Sequence, residues 1–574
     1  MDGHDRQNER QRHKTFNIAD NYSPWMVYEH LDNRRVMAET FQVIIVGGGP
    51  VGVGLAVELG QRGISCALVE RRLEPQRIPK GQNLTQRTLE HFYFWNCVKE
   101  LRAKRIMPAE VPTSGVNVYR DLTSNFWSAP EQRELVQKYY FQEYDRLPQY
   151  LAEEVLRARM AELPSVKTFF GWGAEKIEQD AQGTRVTIAG HERNEGNEGS
   201  VRQVIESRYL VGCDGGHSLV RDQTGITRSG AEFDQKMVLM VFRSKGLQEG
   251  LKRFPLKSTY NIMHPDLKGY WRFFGRVDMV DGFFFHAPVP AESTAGNYDF
   301  KAFLHRAAGF EFDVEFDHVG FWDLRVAVAE TYQAGRIFIA GDAAHSHPPY
   351  GGFGLNNGLE DATNLGWKLA ARLDGWGGEA LLDSYTEERR PIFADIGRDF
   401  IAARIEEDRA FLDRYSPERD YAEFEQAWKD RMARISGRAQ VYEPHYEGSS
   451  VVMGPPGAVC SAHGKHTFTA RTGHHLPPNS LSSGRNVFEE LGAGFTLLAF
   501  DSGDGADDRA VHDFESAAGA LKVPLKIVRD RYDGGLEVYA SKLILVRPDQ
   551  YVVWNSDTAP ADANAIMGRV TGLR

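Results

Sequence analysis

The sequence has little cysteine, no long hydrophobic run and no excess of positive charge. Its four cysteines, Cys66, Cys97, Cys213 and Cys460, are too far apart to form a CxxC redox pair or a cysteine zinc site. We therefore expect free thiols in a reducing cytoplasm and no metal centre. The 68 Lys and Arg residues against 79 Asp and Glu residues give a net charge of −11, which argues against a broad nucleic-acid-binding surface. Small molecules are the expected partners.

The first 40 residues are polar and of mixed charge, and they contain no apolar stretch of the kind found in a secretory signal. The apolar run that follows, 41–46, is far too short to span a bilayer. We expect neither secretion nor a membrane-spanning segment. Residues 1–40 are interpreted as an N-terminal extension, either a disordered arm or a segment folded over the surface or a neighbouring subunit; a targeting signal is the least favoured interpretation.

A glycine-rich turn follows this apolar run. FQVIIV predicts a strand, GGGPVG (47–52) a tight turn, the next residues a helix, and CALVE a second strand that ends at Glu70. Gly47, Gly49 and Gly52 would allow the turn, the close approach of a pyrophosphate and the packing of helix on strand. Glu70, 18 residues after Gly52, is placed to accept a hydrogen bond from a ribose hydroxyl. The pattern predicts a dinucleotide site, for either FAD or NAD.

A second glycine-rich segment favours FAD. Residues 336–372 read as an apolar strand that ends at Gly341 and Asp342, a loop rich in proline and glycine, and a helix that begins near Leu355. An acid at the end of a strand can reach a polyol chain, and a helix N-terminus can hold the partly negative edge of a flavin ring. The alternative is a plain turn with a structural aspartate, which the cost of several glycines at a helix start disfavours.

A third segment, YLVGCDGGHSLVRD at 209–222, again ends a predicted strand with Asp-Gly. With the three motifs in this order, the chain resembles the class A flavoprotein aromatic hydroxylases, the single-component monooxygenase family of p-hydroxybenzoate and phenol hydroxylases. The resemblance covers nearly everything after residue 41. It implies that FAD is the cofactor and that NAD(P)H is a transient co-substrate.

The resemblance implies a role for each motif. The residues matching the ADP-binding motif are Gly47, Gly49, Pro50, Gly52, Glu70 and Arg71. Those matching the motif that handles FAD and NAD(P)H are Asp214, Gly215, Ser218 and Arg221. Those expected near the flavin or its ribityl chain are Arg87, Gln149, Gly341, Asp342, His345, Pro348, Pro349, Gly351, Gly354, Leu355 and Asn356. Two departures are Lys80-Gly81, where the family usually has Arg-Ala, and Phe353, where it often has glutamine.

Alternating apolar and polar runs between 231 and 330 predict an antiparallel sheet, which in the family covers the flavin. Aromatic residues and a histidine in these runs are candidates for the pocket and for catalysis. In such a sheet, however, an aromatic residue is more often a half-buried structural residue than a catalytic one, and a histidine is more often a core residue whose hydrogen bonds are made within the protein. The aromatic-rich segment 121–145 either lines the same pocket or forms a surface helix. Together with the proline of the glycine loop, the candidate catalytic residues are Tyr260, Trp271, His286 and Pro349.

A composition of 42% hydrophobic and 26% charged residues is that of a globular protein, here of two or three domains. The predicted fold is α/β, with a Rossmann-like FAD-binding domain over 41–440. An antiparallel-sheet substrate domain is interleaved with it at about 121–145 and 231–330. A linker at 441–460 leads to a domain at 461–574, which resembles the thioredoxin-like domain of phenol-hydroxylase-type members. That domain has no CxxC, so we expect an interaction or stabilising role.

The resemblance implies a monooxygenase that hydroxylates a phenolic ring with NAD(P)H and O2 through a flavin C4a-hydroperoxide, and a homodimer by family habit. Other flavin oxidoreductases on this fold are the alternatives: halogenases, Baeyer–Villiger-type enzymes and non-phenolic oxygenases. The WxWxIP and FxGxxxHxxxW signatures of the first two are absent. A flavin disulfide reductase would need a second dinucleotide fold and a cysteine pair. A non-enzymatic NAD(P)-binding protein would have no use for the Gly341-Asp342 loop.

Overall fold

Strands and helices alternate along much of the chain. The structure is a computed structural model, and it describes residues 39–131, 133–194, 197–436, 438–501, 506–532 and 535–574. The strands are β1 (Glu39–Val46), β2 (Cys66–Glu70), β3 (Asn83–Leu84), β4 (Gly115–Tyr119), β5 (Trp127–Ser128), β6 (Asp145–Arg146), β7 (Val166–Phe170), β8 (Trp172–Gln179), β9 (Thr184–Asn194), β10 (Asn197–Gly212), β11 (Arg228–Arg243), β12 (Thr259–Met263), β13 (Trp271–Arg276), β14 (Gly282–Pro290), β15 (Glu315–Ala329), β16 (Gln333–Ala334), β17 (Ile337–Ile339), β18 (His345–Ser346), β19 (Tyr442–His445), β20 (Ser461–His463), β21 (Phe495–Asp501), β22 (Leu525–Arg531), β23 (Leu543–Val546) and β24 (Val552–Ser556). The helices are α1 (Pro50–Gly60), α2 (Gln86–Phe94), α3 (Val98–Ala103), α4 (Gln149–Ala161), α5 (Leu219–Thr224), α6 (Lys245–Gly250), α7 (Phe300–Ala308), α8 (Phe353–Leu373), α9 (Glu379–Asp395), α10 (Ala403–Arg414), α11 (Tyr421–Ser436), α12 (Arg438–Val441), α13 (Ala506–Leu521) and α14 (Ala563–Val570).

The strands of the three motifs lie in one sheet, in the order β16-β17-β10-β1-β2-β7, with β9 and β8 continuing from β10. The pairs β1–β2, β1–β10, β10–β17 and β2–β7 are parallel. Three consecutive residues of β1, Val43, Ile44 and Ile45, are fully buried, as expected when both faces of a parallel sheet are covered. The carboxyl ends of β1, β2, β10 and β17 therefore meet at one edge. This arrangement confirms the predicted Rossmann-like sheet.

A second sheet has the order β18-β15-β11-β14-β13-β12-β4-β5. Its central strands are antiparallel, as predicted, but β4 pairs with β12 in parallel and extends the sheet beyond the predicted segments. Side chains alternate between its faces because successive residues of a strand point to opposite sides. One face packs a core that includes Val238, Met240, Phe242 and Phe285. The other face is left to border a cavity.

The chain after residue 494 forms a small mixed sheet in the order β22-β21-β23-β24. Strands β21 and β22 are parallel and joined by α13, and β23 and β24 are antiparallel. This is the strand order of a thioredoxin-like fold, as expected. The segment 441–460, predicted as a linker, is instead packed: it begins with β19, and Tyr446, Val451 and Val452 are buried.

The segment 121–145 neither lines the cavity nor forms the expected surface helix. It contains β5, a short 3₁₀ helix (Arg133–Tyr139) and β6. Tyr139, Tyr140 and Phe141 pack on the C-terminal part of the chain, with Phe141 stacked on Phe488 at a ring-centroid distance of 5.2 Å. Trp127 instead meets Phe254 edge-on. Among the described residues, no helix is both long enough and apolar enough to cross a membrane. The predicted extension lies outside them, except for residues 39 and 40 in β1.

Candidate active site

A cavity of about 880 Å³ lies between the carboxyl edge of the parallel sheet and the free face of the second sheet. This volume is in the range of small-molecule and cofactor sites. Residues predicted from the flavin motifs and from the substrate sheet both contribute to its wall. The predicted residues that line it are Gly49, Pro50, Gln149, Gly215, Trp271, His286, Asp342, His345, Pro349, Gly351, Gly354 and Leu355.

The first glycine turn is shaped for close approach. Gly47 has a φ of +105°, and a Cβ there would collide with the Cys213 carbonyl. A Cβ on Gly52 would collide with the carbonyl oxygen of Gly47, whereas a Cβ on Gly49 would have no neighbour within 4 Å. Gly49 thus leaves its backbone open toward the cavity at the start of α1, where no side chain caps the helix. Such a cradle fits a pyrophosphate.

Glu70 lies at the mouth of the same turn. Its Oε2 accepts a hydrogen bond from the Gly48 backbone at 2.7 Å, and its Oε1 accepts one from the Arg72 backbone at 2.8 Å. A carboxylate oxygen can accept a further bond, so the position fits a ribose hydroxyl donor. Neither Glu70 nor the neighbouring Arg71 is among the residues that line the cavity.

Asp342 follows β17 and faces the cavity. Gly341, just before it, has a φ of +60°, a conformation that suits glycine. Enclosure by the protein raises the pKa of the Asp342 carboxyl, and the charges of His345 and Lys80 oppose that shift. Burial likewise lowers the pKa of Lys80, which lines the cavity from the loop before β3. Asp342 is placed to accept hydrogen bonds from a bound polyol.

The Asp342 loop is fixed by a buried ion pair that sequence reasoning missed. The Asp361 carboxylate bonds His345 Nε2 at 2.7 Å, Arg389 Nε at 2.7 Å and the Gly341 backbone N–H at 3.0 Å. All these groups are buried, and the His345 ring stacks on Phe393. Asp361 lies on α8 and Arg389 on α9, so the loop is held from two helices at once.

The glycine loop before α8 presents backbone rather than side chains. Gly351 and Gly352 have φ values of +75° and +68°, and no side chain caps the helix N-terminus. The free N–H groups of this first turn lie on the cavity wall, where they fit the carbonyl edge of a flavin. Asn356 does not line the cavity; its amide bonds Thr88 at 2.6 Å and the Gly352 carbonyl at 2.7 Å. It therefore ties the start of α8 to α2.

The Asp-Gly motif after β10 also holds backbone in place. Asp214 accepts a hydrogen bond from the Ser218 hydroxyl at 2.5 Å, and burial raises the pKa of its carboxyl. Arg221 donates to the carbonyls of Gly216 and Ala343 at 3.2 and 3.1 Å. None of these three side chains lines the cavity. The motif thus joins two loops that do.

Arg87, which was expected to approach the cofactor, is not among the residues that line the cavity. Its guanidinium pairs with Glu360 at 3.0 Å and Glu90 at 3.2 Å. It also donates to the Asp549 carbonyl at 2.7 Å and to Gln550 at 2.8 Å. Gln550 is 463 residues away in the chain, a contact that local sequence patterns cannot indicate.

The substrate sheet divides the predicted catalytic candidates. Trp271 and His286 line the cavity, whereas the side chain of Tyr260 lies in the core on the opposite face of the sheet. There it accepts a hydrogen bond from Arg276 at 3.2 Å. Its neighbours Thr259 and Asn261 face the cavity instead, as alternation along a strand requires.

His286 is a neutral polar group in an aromatic wall. Its ring stacks on Phe273 at a centroid distance of 4.9 Å and meets Trp322 edge-on at 5.2 Å. Burial lowers its pKa to about 3, and Nδ1 has no hydrogen-bond partner among the described residues. Burial also lowers the pKa of His347, across the glycine loop, to about 4. Both imidazoles are uncharged at neutral pH and can bond a hydroxyl group.

Sequence reasoning missed two further parts of the wall. The Asn261 amide donates to Asn117 at 3.2 Å, which links β12 to β4. The guanidinium of Arg404 lies 3.6 Å from the centre of the Trp271 ring. Arg404 follows a π-helical turn at Ile396–Ala402. Only the period-2 alternation around Asn261 offered a signal.

Comparison with known families and proteins agrees with this geometry. Residues 40–399 match the model of the FAD binding domain, and residues 469–573 match that of the aromatic-ring hydroxylase C-terminal domain. The 4-methyl-5-nitrocatechol 5-monooxygenase of a Burkholderia species is 30% identical over 92% of this chain and 96% of its own length. The tetracenomycin A2 monooxygenase-dioxygenase of Streptomyces glaucescens is 27% identical over 92% of this chain and 95% of its own length.

Solved structures show the same fold. The rebeccamycin enzyme RebC with bound 7-carboxy-K252c superposes with a TM-score of 0.77 at 26% identity, covering 94% of this chain and all of that one. The flavin-dependent monooxygenase PieE, in complex with FAD and substrate, superposes with a TM-score of 0.79 at 24% identity, covering 93% and 99%. The likeness therefore extends through the flavin-binding, substrate-sheet and C-terminal parts of the chain.

Proposed function

Since the chain belongs to the class A FAD-dependent aromatic hydroxylases, we propose that it inserts one oxygen atom of O2 into a phenolic ring, with NAD(P)H as the reductant. FAD is the cofactor of this family. The observation that carries the proposal is that the backbone turns of Gly49 and Gly351 and the aromatic wall around His286 border one and the same cavity. One compartment can thus hold a flavin and a small aromatic ring together.

When bound, FAD supplies the reduction and activation of oxygen. The protein would hold its diphosphate at the backbone N–H groups of Gly49 and Val51, its ribityl chain at Asp342, and its ring edge at the N-terminus of α8. These are the open backbone and carboxylate groups of the cavity. The buried Asp361 pair would keep the Asp342 loop from shifting.

On the substrate side, the residues provide apolar walls and uncharged polar groups. Phe273, Phe284 and Trp322 surround His286, so an aromatic ring would meet rings on several sides. The neutral imidazole of His286 can accept the proton of a phenol hydroxyl in a hydrogen bond and so orient the ring. Closing this wall around the ring would also exclude water from the reacting atoms.

The test is a panel of phenols, catechols and fused-ring phenols, each assayed for stimulation of NADH and NADPH oxidation. Products are identified by mass spectrometry and NMR. The expected product is one oxygen heavier and carries a new ring hydroxyl. An ester, a halogenated ring or no oxygenated product from any phenol would overturn the proposal and favour another oxidation on the same fold.

A pair of variants locates the substrate. His286→Gln should raise the Kd of the active phenol about 3- to 10-fold, the loss of one hydrogen bond. Tyr260→Phe is the matched control, since it removes a polar atom from the same sheet on the opposite face. Equal phenol affinity in His286→Gln and in the wild-type protein would remove His286 from the site while leaving the reaction itself open to the panel.

A further inference from the structure

Two histidines and a carboxylate that the flavin cavity does not use meet beside β19. His445 ends this strand, Glu447 follows it, and His474 comes from the segment after β20. The two stretches of backbone are joined, because the Tyr446 N–H donates to the Gly473 carbonyl at 2.7 Å. Gly473 has a φ of +87°, and a Cβ there would lie 2.5 Å from the Glu447 nitrogen. One nitrogen or oxygen atom from each of the three side chains lies within 4.8 Å of the others.

Both imidazoles are already oriented by a second partner. His445 Nε2 lies 3.0 Å from the His463 carbonyl oxygen, which can only accept, so Nε2 carries the proton and Nδ1 a lone pair. That Nδ1 is buried and has no hydrogen-bond partner among the described residues. On the other ring, His474 Nδ1 lies 3.1 Å from Glu443. Metal-binding histidines usually donate their second N–H to a carbonyl or carboxylate in this way.

The remaining nitrogen of His474 faces a carboxylate. Nε2 lies 2.9 Å from Glu447 Oε1. Arg471, the nearby cation, pairs with Glu443 at 2.6 Å rather than with Glu447. In the described part of the chain, the ion pair recorded for Glu447 is the one with His474. A cation could therefore take the place of the proton between imidazole and carboxylate without an adjacent salt bridge being broken.

There is room for a water ligand as well. A cavity of about 420 Å³, separate from the flavin cavity, is bordered by Glu447, Met453, Thr472 and Asn555. Glu447 retains 29% side-chain exposure, so its carboxylate can turn. Zinc held at about 2.0–2.1 Å in a tetrahedron needs ligand atoms roughly 3.4 Å apart. The rings of His445 and His474 are stacked with their centroids 4.6 Å apart, so they would tilt away from each other to direct both nitrogens at one ion.

We propose that His445, Glu447 and His474 bind one Zn²⁺ ion, with water as the fourth ligand. A donor set of two imidazoles and one carboxylate binds Zn²⁺ in preference to the hard cations Mg²⁺ and Ca²⁺. The cysteine spacing of the sequence gives no sign of this site, because its ligands are histidines and a glutamate. The fold creates the site by bringing a distant histidine against β19. A bound ion would cross-link β19 to the segment that leads into the C-terminal sheet.

The test uses untagged, FAD-loaded protein, stripped with EDTA and titrated with Zn²⁺ by calorimetry. We expect one ion per chain and, with Co²⁺, the visible absorption of a four-coordinate site. Glu447→Gln keeps the shape of the side chain and should weaken binding at least 10-fold. Glu443→Gln should weaken it about 10- to 100-fold through the orientation of His474. His512→Ala, at an exposed histidine, is the matched control and should bind as the wild-type protein does.

Zinc should also raise the melting temperature of the wild-type protein and not that of Glu447→Gln, because a ligand of the native state stabilises it. Unchanged FAD content in the variant would show that it is folded. No saturable binding, or equal binding by wild type and Glu447→Gln, would overturn the proposal and leave the cluster as a hydrogen-bond network. Neither outcome bears on aromatic hydroxylation, which the phenol panel tests separately.

Discussion

Burial is the cause of the low pKa of His286, and no carboxylate among the described residues raises that pKa back toward the ordinary value. A neutral imidazole in an aromatic wall can bond a phenol without attracting a carboxylate. The same burial has a cost in acid. With a native pKa of about 3 and an ordinary value of 6.5, only the unfolded chain binds this proton between those pH values. The free energy of unfolding must therefore fall as the pH drops below 6.5.

His286→Gln should reduce this acid sensitivity. Between pH 7.5 and pH 5.0, one such histidine removes about 2 kcal/mol of stability. Urea titrations of the FAD-loaded proteins at both pH values measure the free energy of unfolding. The decrease in this free energy from the higher to the lower pH should be smaller by that amount in His286→Gln than in the wild-type protein. His347 is still present in both proteins, so the difference reports a single side chain. Identical pH slopes would mean that His286 is not buried as a neutral group.

Asp342→Ala should weaken FAD binding. A charge-assisted hydrogen bond to a ribityl hydroxyl contributes about 1.5–3 kcal/mol, which corresponds to roughly a 10- to 150-fold higher Kd. Flavin fluorescence during titration of the apoprotein measures this Kd. Glu379→Ala, at a side chain that is 86% exposed, is the control. Wild-type FAD occupancy of Asp342→Ala after gel filtration would contradict the assignment.

The helix α8 begins at the cavity and is buried from Asn356 to Ala371, so its start cannot shift without disturbing the interior. The two glycines before it adopt left-handed conformations, and a Cβ on Gly351 would collide with the Phe353 ring. The position of the free N–H groups of α8 thus depends on a backbone that only glycine adopts easily.

Gly351→Ala should therefore raise the Kd for FAD and lower the stability of the holoprotein by about 1–2 kcal/mol. Gly296→Ala is a suitable comparison, since Gly296 has an ordinary φ and open space around it. Thermal melts with and without added FAD separate the two effects. Equal melting temperatures and FAD affinities for the two variants would show that the loop tolerates a side chain.

Strand and helix identity could be predicted wherever hydrophobic periodicity and glycine position act locally, as in β1, α1 and β17. Which face a strand residue occupies was harder, because register decides it: Thr259 and Asn261 line the cavity while Tyr260, between them, does not. Long-range pairing was not predictable at all. The partners of Arg87 and the packing of 441–460 depend on a C-terminal domain whose docking leaves no local pattern.

The C-terminal domain is joined to the flavin-binding part through buried charges. Arg547 forms a bidentate pair with Glu388, with both N–O distances 2.8 Å, and also bonds Asp549 at 2.6 Å. Lys368 adds a third contact to Glu388 at 2.7 Å. All four side chains are buried, so each charge depends on the others for solvation.

Arg547→Met should destabilise the protein by about 3–5 kcal/mol, because it leaves the buried carboxylates with too little positive charge. Arg529→Met breaks a half-exposed pair with Asp508 and should cost less than about 1 kcal/mol. Urea unfolding followed by flavin fluorescence and by far-UV circular dichroism compares them. A loss in Arg547→Met no larger than in the control would mean that the domains are held by apolar packing alone.

A substrate should also control reduction of the flavin. The described residues contain one dinucleotide turn, so NAD(P)H would dock transiently rather than in a fold of its own. A ligand shifts a conformational equilibrium through different affinities for its states. We expect the anaerobic rate of flavin reduction to rise at least ~10-fold with a true substrate, measured by stopped-flow absorbance. The contrary result would be a flavin that is reduced rapidly without substrate, at a rate that does not change when a phenol that the enzyme hydroxylates is added. That result would exclude control of flavin reduction by the substrate and direct attention to Lys80.

The contacts of Arg87 bear on when the cofactor can be loaded during biosynthesis. Its partners at 549 and 550 are made 462 and 463 residues later, an interval of roughly 20 to 90 s on the ribosome. Until then Arg87 on helix α2, which Asn356 ties to the flavin loop, lacks two of its hydrogen-bond partners. We therefore expect FAD to be captured by the released chain and not by the nascent one.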